Sequence, residues 1–208
     1  MTLHKKLSGL YAITDASPLP HLLKKVEQAL KGGVHILQYR HKTGTEPLLK
    51  QEATALLSLC QQYQVPLIIN DNIELASHIG ADGVHLGKND KQLTLARQQL
   101  GTQAIIGVSC YNDLSLAIAA EEQGANYIAL GSLFSSSTKP NAPRASLALI
   151  KEAQSRLSSP ICAIGGITTE TAPLAYGAGA DMVAVISSLF SATDIQQQAL
   201  NFTDASTA

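Results

Sequence analysis

The feature that most constrains this chain is a rhythm: eight short apolar runs, each separated from the next by a longer segment with helical spacing. The runs fall at 9–14, 34–39, 66–70, 83–86, 104–109, 127–131, 160–165 and 182–186. They are continuously apolar, and runs rich in Val, Ile and Leu without alternation suit parallel strands covered on both faces. Between them, segments such as LPHLLKKVEQALKGG and EPLLKQEATALLSLCQQYQ place apolar residues three and four apart, as an amphipathic helix requires. A weak internal repeat reinforces the pattern. GGVHILQ, GADGVHL, GANYIAL and GADMVAV each set a glycine just before an apolar run, where a helix must end before the chain turns into a strand. This joint recurs about every 45–55 residues, or two units.

Eight βα units in 208 residues predict one (β/α)8 TIM barrel, near the short end of the range for that architecture. The competing arrangement is an open doubly wound sheet, which normally uses fewer strands. No glycine-rich dinucleotide fingerprint follows the first run, GLYAITDASPLP. Residues 1–208 read as one domain, with a frayed tail from about 203. Hydrophobic residues make up 45% and charged residues 15%, enough apolar material for a packed interior. A net charge of −1 disfavours a nucleic-acid-binding role. Cys60, Cys110 and Cys162 are few, odd in number and widely spaced, matching neither a disulfide framework nor a zinc site and pointing to a reducing cytoplasm. The N-terminus carries no signal-peptide pattern, and no apolar run is long enough to span a bilayer.

In such a barrel the chemistry belongs at the C-terminal ends of the strands. Polar residues concentrate there: Gln38 to Lys42 after the second strand, Asn70-Asp71-Asn72 after the third, and Gly87 to Asp90 after the fourth. The fifth ends in Ser109, the sixth in SLFSSSTKP, the seventh in Gly165-Gly166 and the eighth in Ser187-Ser188. Gly165-Gly166, with Thr168 as cap of helix seven, and Ser187-Ser188 at the next helix fit the phosphate cup that barrels build after strands seven and eight. Arg40 and Lys42 alternate along an extended segment, so both can face the barrel mouth. Lys139 lies in a Ser/Thr-rich loop of lid length. Asp71 and Asp90, on neighbouring strands, suit Mg2+ beside bound phosphates, unless each only caps the helix after it. Asp82 and Asp181 sit at strand starts and read as structural. His35 and His85 lie within apolar runs and read first as packed or hydrogen-bonded, with a pocket role the lesser alternative for His85. Cys110 has no evident His partner, so the inventory favours metal- and cation-assisted loss of a phosphate or pyrophosphate over covalent catalysis.

QYRHK, IINDN, GADGVHLGKND, IIGVS, GSLFSSSTK, AIGGI and VAVIS, in that order, resemble the thiamine-phosphate synthase family over about 10–189. The resemblance implies a transferase that couples a hydroxymethylpyrimidine pyrophosphate to a thiazole phosphate, with Mg2+ as cofactor. By the same resemblance Gln38, Arg40, Lys42, Asn70, Ser109 and Lys139 bind the pyrimidine pyrophosphate. Of these, Ser109, Lys139 and Arg40 are the catalytic candidates. Ser136, Thr138, Gly166, Ile186 and Ser187 contact the thiazole phosphate, and Asp71 and Asp90 hold the metal. One departure is visible: where the family lid often reads GPIFPT-x-TK, this chain has Ser132 and Ser135 in place of prolines and Ser136 in place of threonine. Fewer prolines leave the open lid less rigid. A thiazole tautomerase-like barrel and a non-catalytic precursor-binding relative are the alternatives. The expected partners are phosphorylated small molecules, with no nucleic acid or membrane and with homo-oligomerisation left open.

Overall fold

The computed structural model describes residues 7–87, 90–135 and 144–205, with the side chains of Asp90 and Lys91 excluded. Eight parallel strands close on themselves in chain order: β1 (Gly9–Ile13), β2 (Ile36–Tyr39), β3 (Leu67–Asn70), β4 (Gly83–Leu86), β5 (Ile105–Tyr111), β6 (Tyr127–Gly131), β7 (Ile161–Ile164) and β8 (Met182–Val185). Pairing of β1 with β8, Tyr11 opposite Ala184, completes the barrel and excludes the open sheet. The connecting helices are α1 (Leu19–Lys31), α2 (Glu46–Tyr63), α3 (Ile73–Ile79), α4 (Asp90–Leu100), α5 (Leu114–Glu122), α6 (Leu147–Arg156) and α7 (Ala172–Gly177). After β8 come the short α8 (Ser187–Phe190) and α9 (Ile195–Asp204). Among the described residues no helix is long and apolar enough to cross a membrane.

Every predicted strand forms, with ends moved by at most two residues. The glycines of the internal repeat behave alike, Gly33, Gly80, Gly124 and Gly179 all having positive φ at helix-to-strand joints. At Gly179, φ is 104°, a conformation a Cβ strongly disfavours, and a Cβ there would also meet Gln154 Cγ at 2.7 Å. Asp82 and Asp181 are structural as expected. Each carboxylate accepts a backbone N–H at the start of a neighbouring strand, from Leu67 at 2.8 Å and Ile161 at 2.9 Å.

Two expectations change. The chain does not fray at 203: α9 continues to Asp204 because Phe202 is fully buried and the Thr203 hydroxyl bonds the carbonyls of Ala199 (3.0 Å) and Gly32 (3.3 Å). Residues 206–208 lie outside the described set. Thr168 is not a helix cap either. Its N–H is taken by Thr171 Oγ1 at 2.9 Å in a local turn, and α7 begins at Ala172.

Two apolar layers hold the fold. The larger lies between strands and helices; the smaller fills the barrel with Tyr11, Ile13, Ile36, Ile68, Tyr127, Ala129, Cys162, Met182 and Ala184. Ala129, Cys162 and Ala184 in this layer are small, and the packed interior opens into a cavity that they help to line.

Candidate active site

The opening is a cavity of about 400 Å³ at the C-terminal face. Its wall follows from strand parity: successive side chains alternate between barrel interior and helix layer. The interior parity that carries Ile36 inward therefore also carries Gln38 and then Arg40. The same parity brings in Asn70 on β3, His85 on β4 and Ser109 on β5. Gly166, Ile186 and Ser187 complete the opposite wall. Seven of the residues expected at the site thus line one cavity.

Arg40 is aimed by its neighbours. Its N–H donates to Thr14 Oγ1 at 2.9 Å, and Thr14 is itself buried. On either side, the Tyr39 hydroxyl donates to Glu52 Oε2 at 2.6 Å and His41 Nδ1 lies 2.9 Å from the same oxygen. Glu52 is only 2% exposed, an unusual place for a carboxylate unless it is well partnered. Burial, and then Glu52 itself, push the Tyr39 phenol pKa far up, so this hydroxyl remains a donor throughout the physiological range. Tyr39→Phe is expected to lower stability by about 1–2 kcal/mol, since it removes one partner of a buried carboxylate. Chemical denaturation measures that loss. An unchanged midpoint would show that Glu52 does not depend on the tyrosine.

Lys42 departs from the alternation. The strand ends at Tyr39, the chain bends at 42–43, and Lys42 is exposed and absent from the described cavity wall. Asp71 is likewise exposed, with φ of 58°, and its Oδ2 accepts from Asn70 Nδ2 at 2.7 Å. It does not cap α3. Asn72 does, accepting from the Leu75 N–H at 2.8 Å. The Asp71 carboxylate is therefore not engaged by the helix that follows it. Asp90 opens α4, but its side chain lies outside the described set, as do Ser136, Thr138 and Lys139.

The phosphate cup has a defined backbone. Gly165 and Gly166 have φ of 101° and 64°, and a Cβ on Gly166 would meet the Phe134 carbonyl carbon at 2.7 Å. The loops after β7 and β8 are tied together by Ser188 Oγ, which donates to the Ile167 carbonyl at 2.7 Å. The start of α8 leaves its first N–H groups without intrahelical partners, beside the exposed Ser187. Ser132 and Ser135 are tied to the residues that lead into α6: Ala145 N donates to the Ser132 carbonyl at 3.0 Å and Arg144 Nη2 to Ser135 Oγ at 2.6 Å.

Sequence reasoning missed Tyr11 and Tyr127 and ranked His85 low. Tyr11 and Tyr127 are buried inside the barrel and line the apolar layer, while Tyr11 and His85 reach the cavity. The available signal was strand parity: His85 lies two residues before Gly87, a strand-end position recognised from the sequence, and Tyr127 lies four before Gly131 at the end of its run.

A closed parallel barrel with its polar cavity at the strand C-termini and a glycine-built cup after strands seven and eight defines a (β/α)8-barrel enzyme of phosphorylated small molecules. The thiamine monophosphate synthase family model matches residues 10–189, and the chain belongs to that family. It is 53% identical to the thiamine-phosphate synthase of Nitrosococcus oceani, over 93% of this chain and 90% of that one. Its identity to the thiamine-phosphate synthase of Alcanivorax borkumensis is 49%, again over 93% and 90%. Among solved structures, thiamine phosphate pyrophosphorylase from Pyrococcus furiosus superposes with a TM-score of 0.86 at 29% identity, covering 96% of this chain and 95% of that one.

Proposed function

We propose that the chain joins a hydroxymethylpyrimidine pyrophosphate to a thiazole phosphate, forming thiamine phosphate and releasing pyrophosphate. The observation that carries this reading is that one cavity gathers Gln38, Arg40, Asn70 and Ser109 on one side and Gly166, Ile186 and Ser187 on the other. Two anionic substrates meeting in line need such a two-sided pocket. The bond from the pyrimidine methylene to the pyrophosphate oxygen breaks, and its electron pair leaves with pyrophosphate. The electron-rich aminopyrimidine supports the cation that remains. The thiazole nitrogen then closes the new bond with its lone pair. That nitrogen carries no proton, so no general base is required of the protein.

Arg40, with Lys42 and Lys139, neutralises the leaving group. Gly166 and Ser187 hold the thiazole phosphate with Ser136 and Thr138. The Asp71 carboxylate, which does not cap the helix after it, suits Mg2+, and Asp71 with Asp90 would hold the metal, supplying charge neutralisation to the departing pyrophosphate. The three cysteines are buried and form no disulfide among the described residues, in keeping with a reducing cytoplasm.

Incubating both substrates with and without Mg2+ tests the reading. Thiamine phosphate is expected only with metal. Absence of product in both conditions, with both ligands still binding, would favour a precursor-binding protein, and proton exchange on the thiazole alone would favour the tautomerase. Within the synthase reading, Lys139→Ala is expected to raise KM for the pyrimidine pyrophosphate by about tenfold or more, the worth of one charge-assisted contact. KM for the thiazole phosphate should barely move, and the opposite order would mean the two anion sites are exchanged.

A further inference from the structure

Five side chains from five strands form an unbroken hydrogen-bond chain across the inside of the barrel. Gln38 Nε2 donates to the Tyr11 hydroxyl at 2.8 Å. The Tyr11 and Tyr127 hydroxyls lie 2.7 Å apart. Tyr127 Oη is 2.8 Å from His85 Nδ1, and His85 Nε2 is 2.8 Å from Ser109 Oγ. Tyr11 and Tyr127 are almost wholly buried, whereas the two ends, Gln38 and Ser109, both line the cavity. The chain is built into the sheet. His85, Gly107 and Tyr127 are in register across β4, β5 and β6, and a Cβ on Gly107 would overlap the Tyr127 ring. Glycine at that one position lets the ring cross over β5 and stack on His85, with centroids 5.6 Å apart and planes 25° apart. Tyr11 meets the same ring edge-on, at 5.8 Å and 71°.

Such a chain has a direction. Each phenol carries a single proton, and burial pushes both phenol pKa values well up, so both stay neutral. With Gln38 donating to Tyr11, Tyr11 must donate to Tyr127 and Tyr127 to His85 Nδ1. The neutral imidazole then carries its proton on Nε2 and gives it to Ser109. Two consequences reach the cavity: Gln38 keeps its carbonyl as an acceptor, and Ser109 turns its own proton outward as a donor. Reversing either end requires all five groups to turn together, including an amide flip and a tautomer change.

We propose that Tyr11, Tyr127 and His85 are positioning residues that lock Gln38 as acceptor and Ser109 as donor, selecting a substrate edge with an amino donor beside a ring-nitrogen acceptor. This rests on the synthase reading, in which Gln38 and Ser109 face the aminopyrimidine. An aminopyrimidine offers such an edge. Its oxo analogue, with a carbonyl beside a ring N–H, offers the reverse and meets two mismatched groups. A site built around hydrogen bonds rejects such a mismatch strongly because its polar groups are left unpaired.

The test is Tyr127→Phe, which keeps the ring and removes the central hydroxyl. With the two ends uncoupled, Ser109 can rotate and Gln38 can flip independently. The ratio of kcat/KM for the amino substrate over its oxo analogue is expected to fall by about tenfold or more, the worth of one or more neutral hydrogen bonds. KM for the thiazole phosphate should stay within about twofold, since the cup is built on the loops after β7 and β8 while the two ends of the relay stand on β2 and β5. An equal loss for both pyrimidines, or an unchanged ratio, would overturn the proposal by reducing Tyr127 to packing. Tyr11→Phe cuts the chain at another link and keeps the test available if Tyr127→Phe fails to fold. Nitrogen NMR of His85 in the unliganded protein needs no turnover: the Nε2–H tautomer is expected in the parent and a mixture in Tyr127→Phe. The same tautomer in both would also overturn the relay. An inactive parent protein would count against the synthase reading alone, leaving the NMR result to decide the relay.

Discussion

Asp71→Asn is expected to leave the barrel folded while lowering turnover by on the order of a hundredfold or more, the scale of losing one charged group that stabilises a leaving group. The reasoning starts from what Asp71 does not do. The following helix is capped by Asn72, and Asp71 is exposed, its Oδ2 hydrogen-bonded to the amide of its neighbour Asn70. The residue adopts φ of 58°, which asparagine tolerates at least as well as aspartate, so the substitution leaves the backbone unstrained. An amide keeps the shape but loses the charge that would hold Mg2+ on the proposed reading. Circular dichroism should match the parent, and calorimetric titration should show weakened Mg2+ binding alongside the loss of turnover. Full activity with unchanged metal affinity would remove Asp71 from the metal site.

Gly107→Ala is expected to lower stability by about 3 kcal/mol or more, at the upper end of overpacking. The glycine is buried in the middle of β5, and the atom that alanine adds falls on the Tyr127 ring. That ring has nowhere to retreat: it is fully buried, tied through its hydroxyl to Tyr11 and His85, and stacked on the imidazole. For a domain of this size the penalty corresponds to a fall in Tm of roughly 6–12 °C. A change of a degree or less would show that β5 can shift to make room. Because the displaced ring supports both ends of the relay, whatever protein folds should also bind the pyrimidine substrate less well.

Much of the architecture is written in local pattern. Eight continuous apolar runs separated by amphipathic segments admit few arrangements. A strand covered on both faces must be apolar throughout, and parallel strands need a helical crossover between them. The joints were legible for a related reason: a glycine ending a helix before each of four runs reflects a backbone conformation that other residues adopt at a cost. Site residues at strand ends could also be read, because polar groups stand out where an apolar run stops. Gln38, Arg40, Asn70, Ser109, Gly166 and Ser187 stand out in this way, Ile186 comes from the family resemblance alone, and all seven line the cavity.

What sequence did not convey depends on which side chains meet across the barrel. Thr168 has the chemistry of a cap yet serves a turn, because the helix start is set by packing further along the chain. The tail looks polar enough to fray, yet Phe202 buried against the barrel's outer layer carries the helix to Asp204. Asp71 and Asn72 are equally good caps by composition, and only the left-handed turn at Asp71 decides that Asn72 takes the role. Tyr11, His85 and Tyr127 are separated by 74 and then 42 positions, with nothing in their own neighbourhoods to connect them. Closure of the barrel brings them within hydrogen-bonding distance. The local sequence determined the strands, the helices and the polar rim, because periodicity and backbone preference act between near neighbours. The tertiary structure alone decided the relay, because hydrogen bonds between distant strands depend on register and on the one glycine that lets a ring pass.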